Sequence, residues 1–179
     1  MIALDVDEIG RHLVRVAART VLIDGRSGAG KTTLARHLKR RWPGSVVVHL
    51  DAVYPGWDGL LAGAEHVRAE LLSPRRRGDA GRWQRWSWVT SSPAEWHTVA
   101  PDRPLIVEGC GALTPATRAL ADVAIWVECA EPIRKQRALR RDGDTLAAHW
   151  DRWAAQERDH IARHDPHGLA DIVVSDPCP

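Results

Sequence analysis

Short, predominantly apolar runs alternate along this chain with stretches whose apolar residues recur every three or four positions. The runs are Thr20-Val21-Leu22-Ile23-Asp24, Val46-Val47-Val48-His49-Leu50, Leu105-Ile106-Val107, Val123 to Val127 and Ile172-Val173-Val174. Apolar on both faces and only a few residues long, they predict buried strands. Between them, residues 7–19 predict an amphipathic helix with Asp7 and Glu8 in its first turn. Lys31 to Arg41 predicts a second helix, closed by Pro43-Gly44. Leu60, Leu61, Ala64, Val67 and Leu71 predict a third that ends before Pro74, and residues 131–141 and 145–163 predict two more. Alternating buried strands and helices imply an α/β fold, with a parallel sheet covered on both faces. Ligands collect beyond the carboxyl ends of such strands, where Asp24-Gly25, Asp51 and Glu108-Gly109 fall.

The 179 residues predict one domain, large enough to fold without disulfide or metal staples. Apolar residues make up 44% and charged residues 27%, ordinary for a soluble globular protein. No apolar run is long enough for a membrane span. The acidic start, with Asp5, Asp7 and Glu8, does not read as a secretory signal, so a cytoplasmic location without membrane contact is expected. A net charge of +2 gives no reason to expect nucleic acid. Cys110, Cys129 and Cys178 read as free thiols in a reducing compartment. His160, His164 and His167 lie about a turn apart, and a solvated helix end is the expected reading rather than a metal site.

The chemistry is concentrated after the first strand. Gly25-Arg26-Ser27-Gly28-Ala29-Gly30-Lys31-Thr32 fits G-x-x-x-x-G-K-[ST], a pattern expected about 0.0015 times by chance in a chain of this composition. Glycines let successive N–H groups point inward as a nest for phosphate oxygens, and the following helix adds its positive end. Lys31 would reach the terminal phosphates. Thr32 and Glu108 are the candidate Mg²⁺ ligands. Asp51, closing the second strand, is the candidate acid/base for an acceptor hydroxyl, and Tyr54 the candidate neighbour in its pocket. Spacings of three and four set Arg134, Arg137 and Arg141 on one helix face, which faces either water or phosphate. Arg75-Arg76-Arg77 reads as a solvated loop or as a clamp for an anionic acceptor. Trp83, Trp86, Trp88 and Trp96 read as a cluster pinning the segment of about 73–100 or as a stacking surface for a flat substrate, and the two roles are compatible. Trp126, Trp150 and Trp153 read as core.

These residues resemble the uridine kinase branch of the P-loop kinases. The likeness runs from Ile23-Asp24-Gly25 through Thr32-Thr33, Asp51-Ala52-Val53-Tyr54 and Val107-Glu108-Gly109. It continues from Ala121 to Glu128 and on to Arg134, Arg137, Arg141 and Asp142. The resemblance implies a three-layer sandwich whose five parallel strands run in the order 2-3-1-4-5. It also implies transfer of the ATP γ-phosphate to the hydroxyl of a small molecule, with ATP and Mg²⁺ as cofactors. Gly25, Ser27, Gly28, Ala29, Gly30, Lys31, Thr32 and Thr33 would then hold the nucleotide. Lys31, Asp51, Arg137 and Arg141 would be catalytic, and the arginine helix with a short lid would span about 131–145. Trp86-Ser87-Trp88 stands where nucleoside members carry an acidic residue for the ribose, and His97 falls later than their histidine. With Asp51 and Tyr54, these residues make up the candidate acceptor site, whose substrate is left open. A nucleotide-binding regulator without an acceptor is the alternative. A nucleic-acid kinase ranks below both, and a homodimer is left open.

Overall fold

The computed structural model describes residues 6–175, so Cys178 lies outside the described residues. In chain order the elements are α1 (Val6–Arg15), β1 (Thr20–Asp24), α2 (Lys31–Arg41), β2 (Val46–His49), α3 (Leu60–His66), α4 (Ser73–Arg76), β3 (Gly81–Ser87), β4 (Ser92–Val99), β5 (Leu105–Glu108), α5 (Pro115–Arg118), β6 (Val123–Glu128), α6 (Glu131–Ala147), α7 (Trp150–His164), α8 (Pro166–Leu169) and β7 (Ile172–Ser175). The sheet order is β2-β5-β1-β6-β7, with every pairing parallel. Counting sheet strands alone, this is the expected 2-3-1-4-5 order. The alternation of side chains across each strand splits the core in two. Val21, Ile23, Ile106 and Ile125 meet Ile9, Leu13, Leu34 and Leu38 from α1 and α2. Leu22, Val48, Leu105, Val107 and Ala124 meet Leu60, Leu71 and Trp153 on the opposite face.

Several boundaries differ from the sequence pattern. The first helix stops at Arg15 because Ala17 takes a positive φ of 49°. The Ala18 N–H then closes onto the Leu13 carbonyl at 2.9 Å, a left-handed helix stop. The second strand ends at His49, and Leu50–Ala52 turn as a short 3₁₀ helix that carries Asp51. The helix from Leu60 does not end before Pro74. It continues through a π-helical stretch, Val67–Leu72, into α4, where Pro74 sits in the first turn and its missing N–H costs nothing. The penultimate helix begins at Trp150 rather than Thr145. Gly143 breaks α6 with φ 59° and ψ −145°.

Residues 81–99, within the segment of about 73–100 read as an insertion, form an antiparallel hairpin, β3–β4, outside the main sheet. It is seated by Gly81, where a Cβ would lie 2.3 Å from the Leu71 carbonyl oxygen. Arg75 anchors the same corner. Its guanidinium donates to the Ala100 carbonyl and, at 2.6 Å, to that of Arg103. Arg75 is therefore structural, while Arg76 and Arg77 are exposed, 3.7 and 3.8 Å from Asp122 and Asp79, as the solvated-loop reading expects.

Asp24 is the polar centre of the fold. Buried at the end of β1, it accepts from the amides of Gly25 (2.6 Å), Gly111 (3.0 Å) and Leu113 (2.8 Å), and lies 3.0 Å from His160 Nε2 on α7. The expectation that His160 is solvated is therefore wrong. It is 2% exposed and hydrogen-bonded to the Asp24 carboxylate. Replacing Asp24 with Ala strands three buried amides, a loss of about 3 kcal/mol or more. Equilibrium urea unfolding checks this, and a cost below about 1 kcal/mol would contradict the role.

Candidate functional site

The loop from Gly25 to Gly30 rises from β1 and is held on three sides. Gly28 packs so closely under α6 that a Cβ would fall 1.9 Å from the Arg134 carbonyl oxygen, and its φ is +79°. No other residue type fits there. Gly30, also left-handed, starts α2, so Lys31 and Thr32 occupy its first turn. From α7, Glu157 accepts from the Ser27 amide at 2.7 Å and from Arg26 Nε at 3.2 Å, while Trp153 Nε1 donates to Ser27 Oγ at 3.0 Å. Trp126, Trp150 and Trp153 are buried, as expected, but Trp153 also touches the loop.

The Lys31 ammonium donates to the Arg26 carbonyl at 3.1 Å and to Cys110 Sγ at 3.3 Å. Burial opposes its charge, but Cys110, Glu108, Asp51 and Glu157 outweigh that and raise its pKa. Burial also pushes the Cys110 thiol up to about 12, so at neutral pH the carboxylates supply the field that keeps Lys31 charged.

At the end of β5, Glu108 Oε1 accepts from Thr32 Oγ1 at 2.9 Å and lies 2.5 Å from His49 Nδ1. The parallel register sets His49 opposite Glu108 on neighbouring strands. Burial works against the Glu108 charge, yet His49, Lys31 and Thr32 overcome it and lower its pKa. The bond to Glu108 raises that of His49 despite partial burial. No cluster of three His, Cys, Asp or Glu side chains able to hold a metal occurs among the described residues. One hydroxyl beside one carboxylate suits Mg²⁺, which keeps waters and takes phosphate oxygens as further ligands.

A cavity of about 880 Å³ opens in front of these groups. It is lined by Ser27, Thr32, His49, Asp51, Tyr54 and Glu108, by Trp57, Trp86, Trp88 and Trp153, and by the buried Leu146, with half-buried Arg85 and exposed Arg141 at its rim. Asp51 is accessible from it, but the enclosing walls desolvate its carboxyl and raise its pKa against the pull of Lys31. Trp88 Nε1 donates to the Asp51 carbonyl at 2.8 Å, fastening the hairpin to the turn that carries Asp51. Tyr54 Oη donates to the Cys110 carbonyl at 2.7 Å. Arg85 is paired with Glu95 and Arg141 with Asp142.

The structure thus gathers Ser27, Lys31, Thr32, Asp51, Tyr54, Glu108, Arg141, Trp86 and Trp88, while the backbone of Gly25, Gly28, Ala29 and Gly30 shapes the loop. Other expected residues lie elsewhere. Ser87 accepts from the Thr90 amide in the hairpin turn, and His97 stacks on Trp83 with centroids 4.4 Å apart; neither lines the cavity. Thr33 is exposed on α2 and Arg137 is half-buried on α6. The helix arginines do not share one environment, since Arg134 is 1% exposed against Glu131 and Glu157 while Arg141 reaches the rim. His49, Glu157 and Trp57 were not singled out by the sequence reading. For Glu157 a signal existed, because it continues the buried spacing of Trp150, Trp153 and Ala154.

No family model matches the chain, and no curated relative does. Among solved structures it is similar to a possible uridine kinase from Bacillus stearothermophilus, with 20% identity, TM-score 0.67, and 94% of this chain and 96% of that one covered. It is also similar to a protein assigned as a fructose transport system kinase from Silicibacter, with 15% identity, TM-score 0.56, and 95% and 98% covered. A shikimate kinase from Acinetobacter baumannii gives 16% identity, TM-score 0.55, and 95% and 89% covered. At these identities the likeness establishes the fold, that of the P-loop kinases. No helix among the described residues is long and apolar enough to cross a membrane.

The His49–Glu108 pair has a defined pH window. With His49 raised, its contribution is complete below the ordinary 6.5 and is lost as pH climbs through the raised midpoint. With Glu108 lowered, its contribution is present above the ordinary 4.5 and is lost as pH falls through the lowered midpoint. An NMR titration should place the His49 midpoint above 6.5 and find it lower in Glu108→Gln. A midpoint at or below 6.5 in the native chain would contradict the pairing.

Proposed function

We propose that this chain is a Mg²⁺-ATP-dependent kinase that transfers the γ-phosphate to a hydroxyl of a small molecule. The observation that carries the reading is the shared cavity. Asp51 faces the same space as the phosphate-loop hydroxyls of Ser27 and Thr32 and the carboxylate of Glu108. The loop amides and the positive end of α2 would cradle the phosphates. Lys31 would leave the Arg26 carbonyl and Cys110 to meet the terminal phosphates. Its raised pKa keeps it protonated for that task.

Thr32 and Glu108 would hold Mg²⁺, which when bound neutralises phosphate charge. Asp51 would accept the hydroxyl proton as the acceptor oxygen attacks. Its raised pKa moves it closer to working pH, where a base is most effective. Arg141, which lines the cavity, would stabilise charge on the transferred group. The tryptophan lining, Trp57, Trp86, Trp88 and Trp153, supports a flat or apolar-faced acceptor. The three similar structures are assigned to kinases of different acceptors, which supports the reaction class without naming this acceptor.

A screen of nucleosides, sugars and other small alcohols should find an acceptor phosphorylated at the expense of ATP. With it, Lys31→Ala should lose activity by at least about 100-fold. Asp51→Asn should lower kcat by about 10²–10⁴ while Mg-ATP affinity stays within about threefold. Undiminished turnover in Lys31→Ala would refute the mechanism, and ATP turnover that needs no acceptor would favour a nucleotide-driven regulator.

A further inference from the structure

Glu157 is a buried anion behind the glycine loop, on the side away from the cavity lining. It is 2% exposed and touches the loop at two residues, Ser27 and Arg26. One oxygen accepts from the Ser27 amide at 2.7 Å and lies 3.4 Å from the Cys110 thiol, and the other accepts from Arg26 Nε at 3.2 Å. The thiol that it meets is the one that holds the Lys31 ammonium at 3.3 Å. Arg134 Nη1, from α6, lies 3.8 Å away. A single carboxylate therefore engages a main-chain donor of the loop, its Arg26 side chain and a buried arginine of the neighbouring helix.

A strut that needed only to receive the Ser27 N–H could be an amide. What Glu157 adds is a negative charge among cations that a triphosphate would otherwise have to itself. The pairing is also loose. Arg134 is 1% exposed, meets its carboxylates only at 3.4 and 3.8 Å, and neither of its terminal nitrogens has a hydrogen-bond partner. The Glu157 carboxyl stays ionised, because the Ser27, Lys31 and Arg26 contacts outweigh its burial and lower its pKa.

We infer that Glu157 is an internal counter-anion: it shares Arg26, Arg134 and the Ser27 amide with the nucleotide's phosphates and so sets nucleotide affinity low enough for the diphosphate product to leave. The inference rests on the reading that residues 25–32 seat a nucleotide. Two unit charges about 8 Å apart at an effective dielectric of about 20 change a binding constant about 30-fold. Neighbouring arginines offset part of this, leaving an expected effect of about tenfold.

Calorimetry with Mg-ADP on the intact chain tests it. Glu157→Gln keeps the shape and the acceptor for Ser27 but loses the charge, and should bind about tenfold more tightly, with correspondingly slower release. Glu157→Asp keeps the charge and should stay within about threefold of the native chain. Weaker or unchanged binding by Glu157→Gln would overturn the inference and make the residue a strut. Should the glutamine variant not fold, Arg134→Met and Arg134→Met/Glu157→Gln replace it, since losing both buried charges together avoids an unpaired one. The double variant should bind Mg-ADP about tenfold more tightly than Arg134→Met, and equal affinities would overturn the inference. Absence of Mg-ADP binding by the native chain would instead bring down the nucleotide reading, and this inference with it.

Discussion

A phosphate loop must turn its amides toward a ligand, and amides so turned cannot hold the loop in place. In this chain buried carboxylates do that holding. Asp24 gathers the Gly25 amide, the amides of Gly111 and Leu113, and the His160 ring. Glu157 takes the Ser27 amide and Arg26. The two anions come from opposite ends of the chain and close on the same turn, so the loop depends on α7 as much as on β1. Without that clamp the glycines that make the nest possible would also make it floppy, because glycine loses the most conformational freedom on ordering.

The same carboxylates organise the electrostatics. Asp51, Glu108 and Glu157 surround Lys31 and keep its charge despite burial. Their own ionisation differs with their partners. Glu108 and Glu157 have hydrogen-bond donors and are lowered, whereas Asp51 is raised by desolvation against Lys31. Under the proposed reading, carboxylates pushed in opposite directions would divide the work between holding charge and accepting a proton. The hairpin adds the other half of the site. Trp86 and Trp88 line the cavity, and the Trp88 indole ties them to the Asp51 turn.

Much of this was legible from the chain. The five strands announced themselves because each is a continuous apolar run that a parallel sheet buries on both faces. The glycine loop was legible because its spacing answers a backbone requirement, Glu108 because it closes a strand, and Asp51 because it lies just beyond one. The strand order came from the family resemblance. The hairpin was not legible. Its first strand is partly covered on both faces, every residue from Trp83 to Ser87 being half-buried, so Arg82, Trp83, Gln84 and Arg85 show no clean alternation. His160 and Glu157 read as polar helix residues, since their partners lie 136 and 130 residues away. Only the stripe Trp150, Trp153, Ala154, extended to 157 and 160, marks that face as buried. Pro74 misled because a proline ends a helix unless it falls in a first turn, which the π-helical stretch before it supplies.

The central claim is that the main-chain cup at Gly28 to Thr32 receives a polyphosphate. Phosphorus NMR of Mg-ATP titrated with the folded chain tests it most directly. Saturable shifts of the β- and γ-phosphate resonances, complete at one nucleotide per chain, are the predicted result. Resonances unchanged from free Mg-ATP at a large excess of folded protein would contradict it.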